Sequence, residues 1–251
     1  MTGRLTVVGL GPGSLSQLTP EASAALLAAD ALFGYTRYLE RVPERAGQRR
    51  HSSDNREEHQ RAEQALSCAA EGDDVVVVSG GDPGVFAMAA VVCEALERGP
   101  PQWLTLDVSI VPGVSAMLAV AARAGAPLGH DFCVVSLSDN LKPWPVIERR
   151  LHAAAAAGFV LALYNPVSRA RPWQLERAFE TLRSCLPPTT PVIFGRAIGR
   201  ADERVAVIAL SAASAAHADM ATCVIVGSAQ TRTVERPGKS CLVYTPRSSP
   251  S

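Results

Sequence analysis

The sequence predicts an α/β protein of two lobes, each a sheet flanked by helices, and three observations carry that reading. Val75-Val76-Val77-Val78 sets four β-branched residues in a row, which suits a strand buried on both faces, as in a parallel sheet. That strand runs straight into Ser79-Gly80-Gly81-Asp82-Pro83-Gly84 and then an Ala/Met-rich helix, and the order strand, loop, helix recurs along the chain. The chain has 251 residues, 47% of them hydrophobic, enough for one large or two modest α/β domains.

The elements follow in order. Leu5-Thr6-Val7-Val8 reads as a short strand ending in Gly9-Leu10-Gly11-Pro12-Gly13. A helix starts with Thr19 as N-cap, Pro20 at the first helical position and Glu21 in the first turn. Ala31 to Gly34 is the second strand. Asp54 or Asn55 is expected to cap a helix that carries Glu57 and Glu58 in its first turn and runs to Gly72. After the valine strand and its helix, Leu104 to Val111 completes the first sheet and leads into Pro112-Gly113-Val114-Ser115-Ala116. Beyond Gly125-Ala126-Pro127, strands are expected at Phe132–Leu137, Phe159–Tyr164, Val192–Phe194, Val205–Leu210 and Cys223–Val226, with helices near Val146–Ala157 and Gln174–Cys185. This gives an N-terminal lobe over 1–117, a C-terminal lobe over 118–247 and a mobile tail at 248–251, with the active-site cleft expected between the lobes.

Composition removes several function classes. The formal net charge is zero, so no global field draws the chain to nucleic acid or an anionic membrane. No apolar run approaches the ~20 residues of a membrane span. The first residues lead directly into a strand without a signal-peptide pattern, and a cytoplasmic location is expected. Cys68, Cys93, Cys133, Cys185, Cys223 and Cys241 form no C-x-x-C pair and show no metal spacing, so no metal is expected, and several of them, in apolar strands or helices, read as small buried hydrophobes.

The first glycine loop invites a dinucleotide reading, and three details oppose it. The third glycine of G-x-G-x-x-G would fall on Ser14, and Pro12 lacks an N–H where a phosphate cradle needs donors. The second strand, Ala31-Leu32-Phe33-Gly34-Tyr35, also ends without the acidic residue that would hold a ribose. A nicotinamide oxidoreductase is therefore a remote alternative. A non-catalytic binding module leaves two sets of cleft motifs without a purpose. For Asp82 the plain reading is a helix cap; the functional one is a fixed carboxylate at a ligand rim, beside glycines that let backbone come close.

Taken together, Val8-Gly9-Leu10-Gly11-Pro12-Gly13, Ser79 to Gly84 and Val111 to Ala116 resemble, in order and spacing, the N-terminal signatures of the tetrapyrrole methylases, a class of S-adenosylmethionine-dependent enzymes. Gly129-His130-Asp131-Phe132-Cys133, the segment Ser136 to Trp144, Tyr164-Asn165-Pro166, Ser168 to Pro172 and Ser53-Asp54-Asn55-Arg56-Glu57 are similar to the branch that methylates precorrin-3B at carbon 17. The cobalt-dependent branch acting on cobalt-factor III is the near alternative. Val85-Phe86-Ala87-Met88 and Ser53 to Arg56 look more like the oxygen-dependent branch.

The resemblance implies a two-lobed fold, S-adenosylmethionine as methyl donor, and methylation of precorrin-3B with ring contraction to precorrin-4. Family members commonly form homodimers. It places the cofactor against Pro12, Gly80, Gly81, Asp82, Val85, Ser115 and Ala116, and against Tyr164, Asn165 and Ala197 in the second lobe. Gly11 and Gly13 would face substrate. The substrate's acetate and propionate carboxylates suit arginine forks, for which Arg56, Arg169, Arg171 and Arg196 are the candidates; Arg149 and Arg150 read as a solvated helix face. Ring contraction calls for a positioned proton donor or acceptor, with Asp139, Lys142, Asp54, His130, Asp131 and Ser136 as candidates.

Overall fold

The computed structural model describes residues 3–54, 56–168 and 170–248. Asn55 as an alternative cap, Arg169 as a substrate arginine and tail residues 249–251 lie outside the described residues. The chain divides into two compact units, Met1–Ala116 and Met117–Ser251.

The first unit is built on β1 (Arg4–Gly9), α1 (Pro20–Ala28), β2 (Ala31–Tyr35), α2 (Thr36–Leu39), β3 (Arg49–Ser53), α3 (Glu58–Ala70), β4 (Asp74–Ser79), α4 (Met88–Arg98) and β5 (Asp107–Val111). Its strands form one parallel sheet in the order β3-β2-β4-β1-β5. The valine run is β4, at the sheet centre, and Val75 to Val78 are 0–3% exposed. Val75 and Val77 pack with Leu5, Val7, Leu66 and Val92, on the side of α3 and α4. Val76 and Val78 pack with Val8, Leu26, Leu32 and Leu39, on the side of α1 and α2. Both faces are covered, so the strand carries no polar alternation.

Helix α1 begins as expected: Thr19 Oγ1 accepts from the Ala22 N–H at 3.1 Å and Pro20 is its first residue. The start of α3 differs. Its N-cap is Glu57, which makes no side-chain cap bond. Asp54 Oδ1 instead accepts from the Arg56 N–H, and Glu57 Oε2 accepts from the Asp54 N–H. Asp54 closes a tight turn ahead of the helix, where its carboxylate cannot reach the helical N–H groups. Strand β3 was not expected, because Arg-Arg-His-Ser-Ser has no apolar alternation. It is an edge strand, fixed by His51 stacked on Phe33 at 4.3 Å and 7°.

The second unit opens on α5 (Ala116–Ala124), whose first residue ends the first unit. It continues with β6 (Gly125–Ala126), β7 (Phe132–Ser136), α6 (Trp144–Ala156), β8 (Val160–Tyr164), α7 (Gln174–Arg183), β9 (Pro191–Arg196), β10 (Arg204–Ala209), β11 (Thr222–Val226), β12 (Arg232–Arg236) and β13 (Lys239–Tyr244). A mixed sheet runs β10-β9-β11-β8-β7, parallel only between β7 and β8. Leu137, Ile147, Leu151, Leu161, Leu163, Leu175, Phe179 and Leu182 fill its core. The hairpin β12–β13, with β6 beside β13, was not expected. Cys223 is buried in β11, where burial pushes its thiol up to about 12, whereas Cys93 is exposed on α4. Among the described residues, no helix is long and apolar enough to cross a membrane.

Candidate active site

Strands β4, β1 and β5 are neighbours and parallel, so the loops that follow them leave the sheet at one end. These are the three glycine motifs, and they knit together. Gly11 and Gly81 exchange N–H···O bonds of 3.1 and 3.0 Å. A Cβ on Gly9 would stand 2.7 Å from both the Gly81 oxygen and the Gly113 nitrogen, and one on Gly113 would stand 2.3 Å from the Gly81 oxygen. Asp82 Oδ1 accepts from the Gly84 N–H at 2.8 Å and its Oδ2 from the Gly113 N–H at 3.1 Å. Arg41 Nη2 donates to the Leu10 and Gly11 carbonyls. Gly80 lies against Tyr38, whose ring a Cβ would meet at 2.6 Å.

This revises two expectations. Gly11 and Gly81 spend their backbone N–H and C=O groups on each other, so the glycines serve loop-on-loop packing first. Asp82 is not a helix cap either, since α4 has Ala87 at that position. Its carboxylate is the staple between the β4 and β5 loops. Pro12, Gly13, Val85 and Ala116 are half-buried on these loops, and Ser115 is buried beside them.

The Ser53–Arg56 turn is held by an arginine that the sequence did not single out. Arg61, 3% exposed, donates through Nε to Ser53 Oγ at 2.8 Å, through Nη2 to the Asp54 carbonyl at 2.7 Å and through Nη1 toward Met88 Sδ. Burial pushes its pKa down, with Glu58 and Glu57 opposing. Asp54 and Arg56 are exposed on this turn.

In the second unit, Ser136 ends β7 and Tyr164 ends β8, side by side in register. Ser136 Oγ is buried and accepts from Asn165 Nδ2 at 2.9 Å, so the hydroxyl orients the amide. Tyr164 Oη accepts from the Met117 N–H in the first turn of α5. Asn165 has φ 52° and Ala197 φ 49°; in the first unit Phe86, next to Val85, has φ 53°. These are the described non-glycine residues in left-handed conformation, a strain that ligand-holding loops commonly store.

Asp139 Oδ1 accepts from Arg171 Nη1 at 3.0 Å and from Gln174 Nε2 at 2.8 Å, and Arg171 Nη1 also reaches Asn140 Oδ1. Asp139 is thus tied into a network that orders its carboxylate. Lys142 is half-buried nearby in sequence, with its pKa lowered by desolvation and by Arg150. His130 Nδ1 accepts from the Asp131 N–H at 2.7 Å, which places the proton of a neutral ring on Nε2. Asp131 is exposed. Arg196 donates through Nε to Asp219 at 2.8 Å and through Nη1 to Asp202 at 2.5 Å, and these carboxylates hold its pKa up. Two carboxylates thus order Arg196 at the end of β9, just before Ala197. Among the described residues, no three His, Cys, Asp or Glu side chains are grouped to hold a metal.

Residues 4–214 match the family described as Tetrapyrrole (Corrin/Porphyrin) Methylases. The chain belongs to this family. This tetrapyrrole methylase is 65% identical over 247 residues to a precorrin-3B C(17)-methyltransferase of Sinorhizobium sp, covering 98% of the chain and 97% of that protein. It is 40% identical over 228 residues to a probable cobalt-factor III C(17)-methyltransferase of Salmonella typhimurium, covering 90% and 93%. The crystal structure of the methyltransferase CobJ matches it with a TM-score of 0.93 at 49% identity, over 97% of the chain and all of that structure.

Arg41, Arg61, Tyr38 and Gln174 are the residues around these loops of the tetrapyrrole methylase that sequence reasoning missed. Arg61 sits on the apolar face of α3 with Ala62, Ala65, Leu66 and Ala69. A charged residue on the buried stripe of a helix was the available signal.

Proposed function

We propose that this chain is an S-adenosylmethionine-dependent methyltransferase that acts on precorrin-3B at carbon 17, with ring contraction to precorrin-4, in corrin biosynthesis. The observation that carries this reading is 65% identity to the Sinorhizobium enzyme over nearly the full length of both chains. Identity to the cobalt-factor III relative is lower, at 40%, and this difference favours the metal-free substrate.

The donor supplies a methyl group already activated on a sulfonium. On the first unit the cofactor contacts are assigned to Pro12, Gly80, Gly81, Asp82, Val85, Ser115 and Ala116; on the second, to Tyr164, Asn165 and Ala197. The left-handed residues Phe86, Asn165 and Ala197 fall in these segments, which supports the assignment. Asp82 keeps the β4 and β5 loops in register, and Ser136 keeps the Asn165 amide aimed. Rigid placement is what an in-line transfer asks of a protein, and orientation supplies on the order of 7–11 kcal/mol of such a barrier. Gly11 and Gly13 border the substrate side of the first loop. Arg56, exposed beside Asp54, is assigned to a substrate carboxylate. Lys142, with its lowered pKa, is the assigned proton carrier of ring contraction.

The test is incubation with S-adenosylmethionine and precorrin-3B, followed by mass spectrometry of the pigment. The expected product is heavier by one methylene unit and carries the acetyl group of the contracted ring. Turnover of cobalt-factor III with precorrin-3B left untouched would overturn the substrate assignment.

A further inference from the structure

The loop after β8 and the first turn of α6 carry buried hydrogen-bond donors that no described residue accepts. Trp144 Nε1, Ser168 Oγ and Arg171 Nε are buried and, among the described residues, have no partner. A desolvated donor left unpaired costs free energy, so three in one neighbourhood call for an acceptor. The two segments are joined to each other. Trp144 meets Trp173 edge to face at 4.9 Å, Arg171 pairs with Asp139 at 3.0 Å, and Ser168 and Arg171 exchange backbone bonds of 3.2 and 3.0 Å.

The use of Arg171 is one-sided. Among the described residues, the hydrogen bonds its guanidinium makes run through Nη1, to Asp139 and Asn140. The Nε–Nη2 edge, whose two parallel N–H groups match a carboxylate, is left over. The same Asp139 oxygen, Oδ1, also accepts from Gln174 Nε2, and Gln174 is 1% exposed at the start of α7. Helices α6 and α7 both begin beside this cluster, and neither has a side-chain N-cap bond. The positive ends of two helices and three unpaired donors suit an anion that only accepts hydrogen bonds.

We infer that Trp144, Ser168 and the Nε–Nη2 edge of Arg171 form a carboxylate subsite that takes one acidic arm of the tetrapyrrole, with Asp139 as the residue that positions Arg171. This rests on the reading given under Proposed function, which supplies a substrate rich in carboxylates. Seating the arm requires a small opening of the two segments, because the donors are shielded from water.

The test compares Arg171→Lys, Ser168→Ala, Trp144→Phe and Asp139→Asn with the parent protein in precorrin-3B turnover, S-adenosylhomocysteine binding and thermal unfolding. Arg171→Lys keeps the charge and loses the fork, so its KM for precorrin-3B should rise about tenfold or more, with kcat within about threefold. Ser168→Ala and Trp144→Phe each delete one donor and should raise KM about threefold or more, and they decide the matter if Arg171→Lys fails to fold. Asp139→Asn should raise KM while the pH profile of kcat keeps its shape; loss of a titrating limb would make Asp139 part of the chemistry and overturn its positioning role. An unchanged KM in the donor variants overturns the subsite. So does weakened S-adenosylhomocysteine binding, which would assign the cluster to the carboxylate of the cofactor. If the parent protein does not methylate precorrin-3B at all, the proposed function fails first, which separates the two outcomes.

Discussion

Asp82 shows how much one carboxylate can hold. Its two oxygens accept from the Gly84 and Gly113 N–H groups, which sit on loops after different strands. No other side-chain type offers two acceptors on so short an arm. Asp82→Ala leaves both N–H groups without that partner, at a cost of about 1–3 kcal/mol for the more buried one, Gly113. Calorimetry with S-adenosylhomocysteine should then show affinity lower by about tenfold, while circular dichroism shows a folded protein. Asp82→Asn keeps one acceptor and should fall between the two. Equal affinity in Asp82→Ala and the parent would remove Asp82 from the cofactor site. Arg61 is the contrasting residue: a buried cation whose acceptors, a hydroxyl, a carbonyl and a thioether, are all neutral. It spends its charge on fixing the turn that bears Arg56.

At the scale of elements, the three glycine loops behave as one structure. Their strands β4, β1 and β5 are adjacent, and a methyl group on Gly113 would stand 2.3 Å from the Gly81 oxygen and 2.9 Å from the Gly9 Cα. Those are backbone atoms and cannot swing aside. Gly113→Ala is therefore expected to lower stability in urea unfolding by about 1–3 kcal/mol, the usual cost of overpacking, and to weaken S-adenosylhomocysteine binding. Gly158, with nothing within 4 Å of its Cβ position, is the control for crowding: φ +83 strains Gly158→Ala, but it should leave ligand affinity unchanged. An unaltered Gly113→Ala protein would refute the interlocked loops. The same elements explain what the sequence could reveal. Val75 to Val78 lie under helices on both sides, so burial is written into the residues themselves. Strands β3 and β12 escape because they are edge strands made almost wholly of Arg, His, Ser, Thr and Glu, where backbone pairing and not side-chain burial decides; β13, Lys-Ser-Cys-Leu-Val-Tyr with Val243 fully buried, did carry an apolar signal. Arg236-Pro237-Gly238-Lys239 did carry a turn signal for the β12–β13 hairpin, with Gly238 at φ 69°. The candidate site residues could be named as motif positions, but their partners could not. That Arg196 is spent on Asp202 and Asp219, or Asp82 on Gly113, follows from long-range pairing that spacing does not encode.

For the molecule as a whole, the decisive question is which nucleotide-like ligand it accepts, since a parallel sheet with glycine loops at its strand ends also suits dinucleotides. A pyrophosphate needs free backbone N–H groups at the start of a helix. Here the Leu10 N–H is bound to the Ser79 carbonyl at 2.8 Å and the Gly11 N–H to that of Gly81, while position 12 is proline and has no N–H. The next α-helix starts only at Pro20, with Thr19 already capping it. At positions 10 to 12, therefore, the donors a phosphate would use are consumed or missing. Ligand-linked stability converts this into a measurement on the whole chain. At a hundredfold excess over Kd a ligand adds about 2.7 kcal/mol to the folded state, or about 5–10 °C in Tm for a chain of this size. S-adenosylhomocysteine should raise Tm by that amount, and NADPH at the same concentration should leave it unchanged. A shift with NADPH alone would mean that the loop after β1 opens its Gly11–Gly81 pairing to a phosphate, and the methyltransferase reading would fall with it.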